Sequence, residues 1–233
     1  MLNALLLGAV TLLASISPEP AASVRYQLGL LSRGPTWTPG RNAHTDSLQA
    51  GHMANMLRMA GAGALIAAGP FAGDGPLQGV FVFSPGVDSL DSLLAGDPAI
   101  ASGRLACRIF TWVAPPGLGD DYRQRRATGA RDSMVTFGWV MLHRGRKYDS
   151  RPTPAVEKLI REHFDYTEKL RSSGSLVYAG AIEGTGDLRG VLVMKGDSAA
   201  VARAMKDDPA VRAGRFVPST LRWWTAWGTI PGH

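Results

Sequence analysis

The sequence has a single cysteine, Cys107, which rules out an intrachain disulfide and any multi-cysteine metal site. Cys107 lies in the apolar run Leu105–Val113, where a thiol reads as a buried structural side chain. Charge is also sparse, with 19% charged residues against 45% hydrophobic ones, and this composition excludes a disordered chain. No G-x-G-x-x-G follows a strand pattern, so no dinucleotide site is indicated. Zinc-finger, helix-turn-helix and RNA-binding signatures are all missing. The net charge of +6 and pI near 9.8 therefore indicate anionic ligands or surfaces in general and not nucleic acid.

The longest apolar stretch, Ala4–Ala14, has the length of a signal-peptide core and is too short to span a bilayer comfortably. Pro18 and Pro20 end it, and the small residues Ala21–Ser23 suit a cleavage point. No Lys or Arg precedes it. The expectation is a signal peptide over residues 1–22 and a secreted or periplasmic protein with no stable membrane span once it is removed. The alternative is a misassigned start codon and a cytoplasmic protein.

What the chain does contain is a repeat. An offset of 111 residues superimposes its halves at their rarest residue types. Arg33-Gly34 falls on Arg144-Gly145, His52 on His163, Gly69 on Gly180 and Gly79 on Gly190. Asp97-Pro98 falls on Asp208-Pro209, Gly103-Arg104 on Gly214-Arg215, and Trp112 on Trp223. A repeat fixes the architecture before any other feature. Copy one spans 23–116 and copy two 134–233, with a Gly-, Asp- and Arg-rich linker at 117–133.

Each copy reads as strand, helix, strand, strand, helix, strand. In copy one, Val24–Leu31 is an apolar strand run, and Leu48, His52, Met53, Met56 and Met59 recur at the spacing of one helix face. Ala64–Ala68 and Gly79–Phe83 are paired strands, Ser89–Leu94 is a short helix, and Leu105–Val113 is the last strand. Copy two repeats this through Phe137–Leu142, a helix with Val156, Ile160, His163 and Leu170 on one face, Leu176–Ile182, Val191–Met194, Ser198–Met205 and Val217–Trp227. The βαββαβ order predicts an α+β protein of two tandem ferredoxin-like units, each a four-stranded antiparallel sheet with its helices on one face. The other sheet face is left apolar, and an intrachain pseudo-dimer of the two sheets would cover it.

Two pairs carry candidate chemistry: His52 with Asp97, and His163 with Asp208. A histidine on an apolar helix stripe is structural or chemical, and its duplication does not distinguish the two. Asp-Pro is a helix start, with aspartate capping free N–H groups and proline at the first helical position. The same aspartate has a second oxygen with which to fix the tautomer of an imidazole, leaving the far nitrogen as a general acid or base. One His and one Asp per copy fall short of a metal set, so no metal or cofactor is expected. Arg33 and Arg144, just past the first strands, are candidate anion contacts.

The segments LLSRGPTW (Leu30–Trp37), HMANMLRMAGAGALIAAGPF (His52–Phe71) and GDPAIASGR (Gly96–Arg104) resemble the YCII-related (YciI-like) family, with a looser match in copy two. The resemblance implies a ferredoxin-like fold of the dimeric α/β-barrel kind with an internal pseudo-dimer. It also implies an active site on His52 with Asp97 and on His163 with Asp208, and ligand contact at the strand end Gly69, Pro70 and Phe71. Copy two departs there, with Gly180-Ala181-Ile182. Relatives with an assigned activity include dehalogenases that abstract a proton and lose chloride. The expected function is proton transfer of lyase or isomerase type on a small anionic or phenolic ligand. The alternative is a non-catalytic ligand-binding module of the cell envelope.

Overall fold

The computed structural model describes residues 23–87 and 89–233; the apolar segment read as a signal peptide lies outside them. The chain divides into two compact units. The first comprises Arg25–Trp112, Gly117–Thr136 and Trp223–His233, and the second is formed chiefly by Val113–Pro116 and Phe137–Arg222.

The first unit runs β1 (Val24–Arg33), α1 (Ala43–Gly61), β2 (Leu65–Pro70), β3 (Leu77–Phe83), α2 (Leu90–Ala95), α3 (Pro98–Ala101) and β4 (Leu105–Ala114), with strand order β2-β3-β1-β4. Strand β3 pairs antiparallel with both β1 and β2. Each βα crossover brings its second strand back into the sheet without pairing it to the strand just left, so β3 enters between β1 and β2. Helix α1 begins where Asn42 and Thr45 each accept from the other's backbone N–H, a capping box worth about 1 kcal/mol. Its inner face carries His52, Asn55 and Met59, at three- and four-residue steps. Met59 packs with Leu31, Leu65, Phe81 and Phe83 into the helix-side core. Alternate residues Leu28, Leu30, Val80 and Val82 on the opposite sheet face are buried as well.

Helix α4 (Asp120–Ala127) follows, in a stretch that reads in sequence as an irregular linker. Two acidic residues in its first turn and Arg125 and Arg126 in its last match the helix dipole, and it needs no apolar period because none of its residues is buried. It is tied to the end of the chain by Gly119 N–H to Thr229 O, Tyr122 N–H to Gly228 O and Gly232 N–H to Asp121 Oδ2.

The second unit repeats the order with β5 (Met134–Arg144), α5 (Pro154–Ser172), β6 (Leu176–Ile182), β7 (Leu188–Met194), α6 (Ser198–Asp207), α7 (Pro209–Arg212) and β8 (Phe216–Ala226), in strand order β6-β7-β5-β8. Its core gathers Val140, Leu142, Ile160, Leu192, Val201 and Met205. The 111-residue repeat holds at the level of individual bonds. Gly34 N–H donates to Arg104 O, as Gly145 N–H does to Arg215 O, and Thr36 N–H donates to Gly103 O, as Lys147 N–H does to Gly214 O. Gly103 and Gly214 both have φ +75, the left-handed conformation that ends a short helical turn. The α+β class and the two βαββαβ units are those the sequence predicts.

Candidate active site

Helix α3 starts at Asp97, fully buried, whose Oδ1 accepts from Ala99 N–H at 3.0 Å and Ile100 N–H at 3.3 Å. Its other oxygen, Oδ2, lies 2.8 Å from His52 Nδ1. The two roles weighed for this aspartate, cap and imidazole partner, fall on separate oxygens of one carboxylate. The second unit reproduces the arrangement: Asp208 Oδ1 accepts from Ala210 and Val211, and Oδ2 lies 2.7 Å from His163 Nδ1. An ionised carboxylate only accepts, so Nδ1 carries the proton in both rings, and in the neutral ring Nε2 carries the lone pair.

The two pairs have different surroundings. Asp97 Oδ2 also accepts from Asn55 Nδ2 at 3.3 Å, and Asn55 Oδ1 in turn accepts from Arg58. The place of Asn55 is taken in the second unit by Tyr166, whose hydroxyl donates to Ala204 O instead. Burial pushes Asp97 up, but the His52 bond and charge, Asn55 and the Ile100 N–H together hold it below the usual carboxylate range. The His52 ring stacks on Phe81 at 5.7 Å and 19°; His163 meets the edge of Phe216 at 5.5 Å and 63°.

His52 lies on the wall of a cavity of about 480 Å³ in the first unit. Leu31, Met56, Leu65 and Phe81 supply apolar wall, and Gln78, Arg104, Tyr122 and Asp132 supply polar groups. Met53, Leu57 and Met134, also on the lining, are 46%, 69% and 49% exposed and place an apolar rim around it. The helix-face reading put Met53 inward; in the structure Asn55 takes the buried position and Met53 turns to the cavity.

Other sequence-predicted residues are dispersed. Gly69 and Pro70 line the cavity, whereas Phe71 does not and instead bridges to Trp223. A Cβ on Gly69 would overlap the Trp224 carbonyl oxygen, so close chain approach accounts for this glycine. Arg33 donates to Asp74 O and lies over Trp37 at 5.1 Å, outside the lining. Arg144 lies over Tyr148 at 4.6 Å. Sequence reasoning missed Asn55, Arg104, Tyr122 and Asp132. It missed a third imidazole–carboxylate pair as well: His143 Nδ1 lies 2.7 Å from Asp187 Oδ2 and its Nε2 lies 3.0 Å from Ser219 Oγ. The Asp187 side chain is 65% exposed, so water screens the charge that would have to orient this ring. Among the described residues no group of three or more His, Cys, Asp or Glu could hold a metal ion, and no helix is long and apolar enough to cross a membrane.

The fold is that of a duplicated α+β protein with two ferredoxin-like units, of the dimeric α/β-barrel type. Solved structures share this fold over nearly the whole chain. A mutant chlorite dismutase from Candidatus Nitrospira defluvii matches with TM-score 0.57 at 12% identity, covering 88% of this chain and 92% of that one. A heme-binding protein from Thermus thermophilus matches with TM-score 0.51 at 17% identity, covering 90% and 94%. At these identities the likeness shows the fold alone. No family model and no curated protein matches the chain. The resemblance to the YCII-related family is therefore not upheld, since the shared fold runs to chlorite dismutases and a heme-binding protein. The expectation of a small anionic or phenolic ligand is not upheld either: one of these neighbours is a heme-binding protein, and the cavity beside His52 is walled largely by apolar side chains.

Proposed function

We propose that the first unit is an enzyme site that moves a proton on a largely apolar organic molecule, with His52 as the base and Asp97 as its positioning residue. The observation that carries this reading is the 2.8 Å contact between His52 Nδ1 and the buried Asp97 Oδ2 at the wall of the cavity. Held this way, His52 presents a lone pair at Nε2. It can take a proton from a carbon made acidic by a neighbouring carbonyl, and the positive charge that develops on the ring lies against the carboxylate. Returning that proton to another carbon completes an isomerisation. Loss of a leaving group from the adjacent carbon, together with the electron pair of its bond, completes an elimination. Apolar walls exclude water from the bound molecule, and Gln78 and Arg104 on the lining are donors for an oxygen on which negative charge builds.

The direct test is deuterium exchange at the acidic C–H of a panel of apolar ketones in deuterated buffer, followed by proton NMR. Exchange that depends on the protein and drops about a hundredfold in His52→Gln is the expected result for a general base. Equal exchange with both proteins would sink the proposal.

The fold neighbours favour a second reading, heme binding in the same cavity. The residues fit the group: an iron-ligating histidine holds its other ring nitrogen on a carboxylate or carbonyl, as His52 does on Asp97, and the wall is apolar. His52 would hold the iron, with Arg104 and Gln78 as donors for the carboxylate arms. A bound heme would supply redox chemistry at iron. Titration with hemin separates the readings. A sharpened, red-shifted Soret band that is lost in His52→Ala but kept in His163→Ala supports heme. An unchanged spectrum leaves proton transfer.

A further inference from the structure

The second unit gathers three guanidinium groups on one ring. The central carbons of Arg215, Arg144 and Arg189 lie 4.5, 4.6 and 5.9 Å from the Tyr148 ring centre. Arg215 is only 6% exposed, and its Nε, like that of Arg144, is buried without a hydrogen-bond partner. The like charges of Arg189 and Arg215 act against each other, and a buried donor left unpaired is destabilising.

The duplication supplies an internal control. In the first unit the equivalent ring is Trp37, with Arg33 and Arg104 over it at 5.1 and 4.4 Å. Neither cation there has a buried nitrogen without a partner: Arg33 donates to Asp74 O, and Arg104 donates to Thr38 O and Oγ1. Position 78, which matches Arg189, is the neutral Gln78. The second unit has therefore added a cation and left donors without acceptors.

Asp149 is a neighbouring carboxylate whose charge acts on Arg215, but its side chain is engaged by Arg151. It is bound at both oxygens by Arg151, whose hydrogen bonds, with smaller contributions from the charges of Arg151 and Arg215, hold it down to about 2. Among the described residues Arg215 donates to the Asp149 backbone carbonyl and Arg189 to that of Gly184. Burial lowers the affinity of Arg215 for its proton and Arg189 adds to this, against the pull of Tyr148 and Asp149.

We infer that Arg144, Arg189 and Arg215 form an oxyanion site in the second unit, with Tyr148 as its platform, that takes a phosphate or carboxylate group. This assigns nothing to the His52 cavity, which belongs to the other unit. A guanidinium is planar with donors in a fixed fork, and Arg is favoured over Lys wherever such groups are held in pairs. An oxyanion bound there supplies acceptors to the buried Nε atoms and cancels the repulsion.

The test is calorimetric titration of the whole protein with inorganic phosphate and, in parallel, acetate, at ionic strength held constant with sodium chloride. One saturable site per chain is expected for at least one titrant. Binding only phosphate marks a phosphoryl source, and equal binding of acetate marks a carboxylate-bearing one. Arg189→Gln, which restores the first unit's pattern, should bind about tenfold more weakly, as removal of one charge-assisted contact requires, and should have a higher thermal midpoint than wild type when no anion is present. Arg144→Gln serves as a second variant with the same expected loss. His52→Gln should bind as wild type, which keeps this outcome separate from the fate of the first site. No saturable binding of either anion, or unchanged affinity in both arginine variants, would overturn the inference.

Discussion

Replacing Asp97 with alanine or with asparagine should produce two different failures, because each oxygen of this carboxylate has its own task. Alanine removes the cap from Ala99 and Ile100, a loss of about 1 kcal/mol. It also leaves His52 Nδ1 without its acceptor in a buried place and takes from Asn55 Nδ2 one of the acceptors it has beside Leu93 O, which adds about 1–3 kcal/mol. The expected total is about 3 kcal/mol. Asparagine caps as well as aspartate, so its oxygen stays on the backbone N–H groups and its amide nitrogen faces His52. That amide donates, and the imidazole must then accept at Nδ1 and carry its proton on Nε2. The remaining cost is the approach of two amide donors, from Asn55 and the new side chain, about 1 kcal/mol. Urea unfolding measures the stabilities, and long-range proton–nitrogen correlation spectra of the histidine rings measure the tautomer. Asparagine should be the milder change for stability and should still reverse the His52 tautomer. If both variants lose the same stability, or if the asparagine variant keeps its proton on Nδ1, the division of labour between the two oxygens is wrong.

Asp97 also sets a pH dependence. Its folded value lies below the 3.8 of the free side chain, so its contribution is fully present above that value and is lost as pH falls through the lower, folded one. The gap in urea midpoint between wild type and Asp97→Asn should therefore be constant at mildly acidic pH and narrow once pH falls below about 4, the value of an unperturbed aspartate. Cys107 is pushed up to about 12 by burial first and then by the charge of Asp97. It should not react with a thiol-specific disulfide reagent at pH 8, roughly the value of a free thiol, until denaturant is added. A methyl group at Gly69 would strike the Trp224 backbone carbonyl, whereas one at Gly75 meets nothing within 4 Å. Gly69→Ala should cost about 2–3 kcal/mol in urea unfolding and Gly75→Ala less than about 0.5 kcal/mol. Ser219, beside a histidine whose aspartate is exposed, should resist a fluorophosphonate probe; stoichiometric labelling would make His143 an activating base.

The fold was legible because the repeat is carried by residues with narrow conformational roles. Gly103 and Gly214 end helical turns, Asp97 and Asp208 begin them, and their common offset fixes the element order without any appeal to propensity. The dyad was legible for the same reason: Asp-Pro announces a cap, and a cap leaves one oxygen over. What lay beyond the sequence was assembled from distant segments. Tyr122, Asp132 and Thr229 reach the His52 cavity from the region after β4 and from the end of the chain, and no local pattern marks them. Helix α4 has no buried face, so it lacks the apolar period by which a helix is recognised. Met53 and Asn55 exchanged expected places because the buried amide is satisfied by Asp97 and Leu93, a tertiary fact that hydropathy does not encode. The three guanidinium groups on Tyr148 come from two strands and the end of a helical turn, and only the comparison of the folded copies shows that the second differs from the first. The family resemblance rested on short segments common to turns and caps, which is why it did not hold.

If Asp97 leaves His52 with a free lone pair at the wall of the cavity, carbethoxylation by diethylpyrocarbonate should find it. The reagent attacks an unprotonated imidazole nitrogen, and peptide mass spectrometry at neutral pH reports His52 and His163 separately. His52 should be modified in the native protein, and Asp97→Asn, by moving the proton to Nε2, should slow this markedly while the protein stays folded. A native His52 that does not react, or one that reacts equally fast in the variant, would contradict it.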